Sequence, residues 1–141
     1  MLSKTAQYAL RAIVYVATQG RNRPVLAKEI ASQTGIPSSY LSRILRDAAR
    51  AGLLTSARGI GGGFRLARPA ERIRLLEVLE PFDDVINRSR CPFGQPRCND
   101  DHPCGFHNYW KPISRAYHAM LEQTTLDRVG EAGLVSRRKR K

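Results

Sequence analysis

A chain of 141 residues with 42% hydrophobic content is long enough for one domain with a real core, which excludes global disorder. Its 24 Lys and Arg against 12 Asp and Glu give +12; Arg137, Arg138, Lys139, Arg140 and Lys141 carry five of those charges, leaving +7 for the rest. Such an excess points to nucleic acid or an anionic membrane, but the longest apolar run, Ala12 to Ala17, is too short to span a bilayer and no signal peptide opens the chain, so a bacterial-type cytoplasm is expected.

Ala6, Ala9, Leu10, Ile13, Val14 and Ala17 recur at helical spacing, predicting a buried first helix near 5–19. Asn22-Arg23-Pro24 breaks the chain. A second helix follows, with Leu26, Ala27, Ile30 and Ala31 inward, Lys28, Glu29 and Gln33 outward, and Gly35 as its C-cap. Ile36 and Pro37 lead into a third helix beginning at Ser38-Ser39, whose hydroxyls can cap free amides. Leu41, Ile44, Leu45 and Ala48 form its inward face, and Gly52 closes it.

Two strands, Leu53 to Ala57 and Phe64 to Ala67, flank Arg58-Gly59-Ile60-Gly61-Gly62-Gly63, which predicts a hairpin with a flexible tip. Pro69 and Ala70 end it. Ile73, Leu76, Val78 and Leu79 suggest a short fourth helix stopped by Pro81. From Asn87 to His107 the chain is rich in Pro, Gly, Cys and Arg and has no period. A loop of about twenty residues in a compact domain should be functional or disordered. After Pro112 a helix resumes, with Trp110, Ile113, Tyr117, Met120 and Thr124 along one stripe, and Thr125 caps a final turn through Val129.

Two short helices joined by a tight turn carrying Gly35 form a helix-turn-helix pattern, in which the second helix enters the major groove. That helix would show Ser38, Ser39, Tyr40, Ser42, Arg43 and Arg46 to solvent, hydroxyls and guanidiniums suited to phosphates and guanine edges. The hairpin adds Arg58, with Arg65 and Arg68 near it, and Gly61 and Gly62 let backbone approach the duplex closely. A merely basic amphipathic bundle would account for one such helix, but DNA binding better accounts for a helix pair with this turn followed by a basic, glycine-tipped hairpin. A nucleotide loop is disfavoured, because no Gly-Lys-Ser/Thr follows and a strand succeeds the glycines.

The cysteines are spaced Cys91-x6-Cys98-x5-Cys104, with two residues between Cys104 and His107. Thiolates are the usual ligands of iron–sulfur clusters, and histidine can substitute at an iron. Structural zinc also takes three cysteines and a histidine, but zinc sites usually contain a close Cys pair, and none is present. A Cys/His hydrolase would need an oxyanion hole that nothing here suggests. His102, beside Asp100 and Asp101, competes with His107 for the fourth position; Pro103 stiffens its link to Cys104, and the aspartates could hold it as a surface pair. His118 falls in a helix pattern and is read as a surface residue.

Taken together, these stretches resemble the cluster-binding winged-helix regulators IscR, NsrR and RirA. LSKTAQYALRAIVYVA (2–17), VLAKEIASQTGIPSSYLSRIL (25–45), RGIGGGFRLARP (58–69) and the cysteine triad stand in that family's order, from Leu2 to about Val129. The resemblance implies a homodimer on double-stranded DNA carrying an imperfect palindrome, with the wing at the minor groove and the long helix crossing its partner. It implies that Cys91, Cys98 and Cys104 ligate a [2Fe–2S] or [4Fe–4S] cluster, completed in the IscR-like branch by a histidine where His107 stands. Other branches use a first-helix carboxylate of the partner; this first helix offers Tyr8 and no Asp or Glu.

The expected fold is mainly α with a small β-hairpin. A winged helix-turn-helix occupies 1–80, a cysteine-rich cluster loop 81–107, a dimerisation helix 108–130, and a basic tail, read as disordered, 131–141. The expected function is a cytoplasmic regulator, a repressor or activator, that senses redox state, nitric oxide or iron supply. It is not an enzyme and takes no small-molecule substrate. The alternative is a winged-helix DNA-binding protein structured by zinc, without sensing.

Overall fold

A computed structural model of the protein describes residues 2–83 and 100–132. Cys91, Cys98 and the tail beyond Ala132 lie outside the described residues, as does most of the cysteine loop.

Six helices and one hairpin are described: α1 (Lys4–Gln19), α2 (Ala27–Thr34), α3 (Ser38–Arg50), β1 (Leu54–Ala57), β2 (Gly63–Leu66), α4 (Leu75–Leu79), α5 (His107–Gln123) and α6 (Leu126–Ala132), with a 3-10 turn at Ala70–Arg72. The fold is mainly helical with a two-stranded antiparallel sheet, as expected. Helix α1 is central and packs on α2, α3, α4, β2 and α6. Small residues at Ala6, Ala9, Ala12 and Ala17 let these neighbours approach closely, while Ile13, Val14 and Val16 fill the core with Ile30, Leu41, Leu45, Leu53, Ile73 and Leu79.

The turn between α2 and α3 is made as expected. Gly35 takes φ +73° and its N–H donates to the Ala31 carbonyl, a left-handed cap that suits glycine. Two local expectations fail. Leu26 is 57% exposed rather than inward, because it is the extended residue before α2 and precedes the helical face. Pro37, not a serine, stands at the cap of α3, and no side chain accepts the first amides. Ser38 already lies inside the helix, where its carbonyl accepts the Ser42 hydroxyl at 3.0 Å.

The hairpin pairs Leu54 with Leu66 and Ala57 with Gly63. Val25 adds an isolated antiparallel bridge to β2, exchanging two backbone bonds with Phe64 at 2.8 and 2.9 Å. These bonds tie the wing to the segment that enters α2.

Helix α5 begins at His107, five residues before Pro112, whereas the sequence made Pro112 its boundary. Proline removes one N–H, but here the earlier turn is already closed by Trp110 N–H to Phe106 O at 2.9 Å, and the helix continues through it. The expected helix over 108–130 is two helices, bent at Thr124–Thr125. There the backbone bonds across to Ile73 and Leu75, and Leu126 is fully buried. The first two residues assigned to the tail, 131 and 132, complete α6, which packs on α1. His118 is not a surface residue. Its side chain is 15% exposed, beside Tyr117 and Leu121, which join the core.

Candidate nucleic-acid interface and metal ligands

The inward face of α3 is buried at Leu41, Ile44, Leu45 and Ala48, so its opposite face is fixed outward. Ser38, Ser39, Tyr40, Ser42, Arg43 and Arg46 are exposed there, as the sequence indicated. Arg50 is exposed too and continues the Arg43–Arg46 stripe at helical spacing; the sequence reading missed it, although the i, i+3, i+7 pattern was visible. Arg58, Gly61 and Arg65 are exposed on the wing, whereas Gly62 is buried. Between residues 48 and 70 there is no Asp or Glu, so the wing presents positive charge without an acidic residue in its own segment, while α3 carries one, Asp47, between Arg46 and Arg50. Arg68 differs, since it pairs with Glu77 at 3.1 Å.

Tyr40 has a structural attachment as well as exposure. Its hydroxyl is hydrogen-bonded to the Thr5 hydroxyl of α1, and its ring meets Tyr8 edge-on, with centroids 5.4 Å apart. Lys4 and Arg11 flank the Tyr8 ring at 5.6 and 5.8 Å. Tyr8 is thus held by packing in this face of α1.

The N-terminus of α1 is also held from the other side. Ser3 caps α1 by accepting from Ala6 N–H, and its own N–H donates to the buried Asp83 carboxylate at 2.6 Å. The Ser3 hydroxyl donates to the Phe82 carbonyl at 3.3 Å. A carboxylate at the positive end of a helix is favourably placed. Burial first, and then the Asp83 charge, pushes the Tyr117 phenol of α5 above its ordinary value of 10.0. Asp83 therefore holds the start of α1, eight residues before Cys91.

Of the four expected metal ligands, the structure describes two. Cys104 is a free, exposed thiol. His107 N–H donates to the Cys104 carbonyl at 3.1 Å, so the two residues share one turn at the start of α5. The His107 ring lies with Nε2 3.1 Å from Asp100, which also pairs with Lys111 at 3.2 Å. Asp100 therefore holds His107, where the sequence had it as a partner for His102. The Lys111 ammonium, and then His107, keep the Asp100 carboxyl below its ordinary range. Among the described residues no cluster of three potential metal ligands occurs, and no helix is long and apolar enough to cross a membrane.

Along α5, Phe106, Tyr109, Ile113 and Met120 are exposed, Tyr109 at 78%. Their spacing follows one helical stripe and leaves an apolar face uncovered.

Comparison with known proteins places this geometry. Residues 2–132 match the family model Rrf2, described as an iron-dependent transcriptional regulator. The regulator IscR of Xenorhabdus nematophila is 32% identical over 126 residues, covering 89% of this chain and 76% of its own. IscR of Vibrio atlanticus is 31% identical over 125 residues, covering 89% and 72%. Among solved structures, CymR, the global cysteine regulator of B. subtilis, superposes with a TM-score of 0.80 at 22% identity, covering 94% of this chain and 98% of that one. IscR of T. potens gives 0.74 at 22% identity, covering 94% and 88%. A cysteine regulator and an IscR share this fold, so the fold alone does not name the signal.

Proposed function

The chain belongs to the Rrf2 family of DNA-binding transcriptional regulators, a family of regulators and not of enzymes, and from that premise we propose that it is a cytoplasmic homodimer that senses through an iron–sulfur cluster. The observation that carries the sensing is the Cys104–His107 turn, an exposed thiol and a carboxylate-held imidazole side by side at the head of α5. With Cys91 and Cys98 the donor set is three thiols and one imidazole, which fits a cluster and lacks the close cysteine pair usual for zinc. Asp100 accepts from Nε2 of His107, so the lone pair that would ligate is on Nδ1, the usual arrangement of a carboxylate behind a metal-bound histidine. When bound, a [2Fe–2S] or [4Fe–4S] cluster would supply an iron- and redox-sensitive tie across the loop.

The DNA contacts of this reading are Ser38, Ser39, Tyr40, Ser42, Arg43, Arg46 and Arg50 of α3 in the major groove, with Arg58, Gly61 and Arg65 on the wing at the neighbouring minor groove; Gly62, buried in the turn, drops out of the expected set. The exposed stripe of Phe106, Tyr109, Ile113 and Met120 supports a second copy packed on α5, which would set two recognition helices on an imperfect palindrome.

The route from loop to DNA runs through α1. Asp83, at the entry to the loop, binds Ser3; two residues on, Thr5 binds Tyr40 on the recognition helix. A shift of the loop that pulls Asp83 therefore acts on the helix end that braces α3. Asp83→Ala should lower stability by about 1–3 kcal/mol through loss of a charge-assisted bond. It should also shrink the difference in DNA affinity between iron-loaded and iron-free protein. Urea unfolding and paired DNA titrations check both effects, and an unchanged affinity ratio would remove Asp83 from the route.

A further inference from the structure

The wing carries one side chain that neither strand pairing nor the core explains. Ile60 is 110% exposed, the highest value among the exposed large hydrophobics. The turn puts it there. Gly62 N–H donates to the Gly59 carbonyl at 3.0 Å, leaving Ile60 and Gly61 as the two central residues. Gly61 has φ +78°, the value a type II turn requires at its third position. Gly62 has no room for a side chain, since a Cβ there would lie 2.3 Å from the Ala57 carbonyl oxygen. The hairpin tip is thus shaped to hold a branched apolar side chain out in water, beside Arg58 and with no acidic residue nearby in sequence.

We propose that Ile60 is a specificity residue of the DNA complex, lying in the minor groove beside each half-site and selecting A·T pairs there. This rests on the reading of α3 and the wing as the DNA face. Minor-groove proteins use apolar side chains as wedges, and burying an isoleucine returns free energy that its exposure forfeits. An A·T pair offers only acceptors on the groove floor, whereas G·C adds the guanine amino group. An apolar side chain over that amino group strips its water and returns no acceptor, so G·C is penalised. Arg58, two residues before Ile60, suits the stronger negative potential of a narrow A·T-rich groove.

The test uses the full-length protein and the duplex that it selects best from a random library. Replacing adenine by diaminopurine adds the amino group to the minor groove and leaves the major groove unchanged. Wild type should lose about tenfold in affinity when this is done at one flanking position per half-site, and Ile60→Ala should lose about tenfold on the unmodified duplex with little further loss on the modified one. Ile60 touches no core, so the melting temperature of Ile60→Ala should equal that of wild type. If Ile60→Ala binds as tightly as wild type and shows the same diaminopurine penalties, the proposal is overturned while the DNA face stands. If wild type selects no sequence and its binding is unaffected by Arg43→Ala, the DNA face itself fails, and the role of Ile60 with it.

Discussion

Cys91→Ala, Cys98→Ala and Cys104→Ala should each yield, after purification without oxygen, a folded protein that has lost essentially all bound iron and sulfide. Each substitution removes a thiolate that this account gives to the cluster, and two thiolates do not hold a labile cluster. For Cys104→Ala the fold should survive, because Cys104 is exposed and the core among the described residues is made without it. His107→Ala should differ in kind: the cluster forms, shows an altered visible spectrum and decays faster in air, whereas His107→Cys retains it in a longer-lived form. Asp100→Ala should shift the same lifetime in the same direction by less, since losing the partner behind a ligand costs about 10–100-fold in metal affinity. Iron and sulfide analysis with absorption spectra checks the series. Full retention by one cysteine variant would take that residue out of the site, and a response to His102→Ala in place of His107→Ala would transfer the fourth position to His102.

Arg43→Ala should weaken binding to the selected duplex by about 1–3 kcal/mol, the cost of losing a side chain that reads a base edge. Arg46→Ala and Arg50→Ala should weaken binding on selected and scrambled duplexes alike, each reducing the slope of affinity against salt by about one. The three arginines form one exposed stripe and differ by position, Arg43 lying nearest the N-terminal end of α3, which recognition helices point at bases. Titrations at several salt concentrations separate the classes. Equal losses on both duplexes would make Arg43 a phosphate contact.

What the sequence made legible follows from the range of the forces involved. The helices α1 to α3 and the wing are written in local signals: a 3.6-residue apolar period, Gly35 at a left-handed cap, and glycines between two short strands. The errors fall where distant contacts decide. Leu26 looked inward because it precedes a helical face, but it lies one residue before that face starts. His118 looked like surface because nothing in its helix shows that α5 packs against α4. Thr125 marked the break at Thr124–Thr125 locally, but the backbone bonds to Ile73 and Leu75 that hold it, some fifty residues away, are encoded by no local pattern. For the site, spacing alone brought Cys104 and His107 into consideration together, and the structure puts both in one turn, while the exposed face of α3 followed from its apolar period. The bonds of Asp83 to Ser3 and of Thr5 to Tyr40 were not, since each joins groups far apart in the chain that only the fold brings together.

The central claim, that this regulator senses through a cluster, is tested most directly by one measurement on full-length protein purified without oxygen. Iron, zinc and acid-labile sulfide are determined, and affinity for the selected duplex is compared before and after the metal is removed by chelation. Iron and sulfide in comparable amounts, a coloured protein, and a DNA affinity that changes when they are removed are the expected result. Zinc without sulfide, or one DNA affinity for both forms, would contradict it.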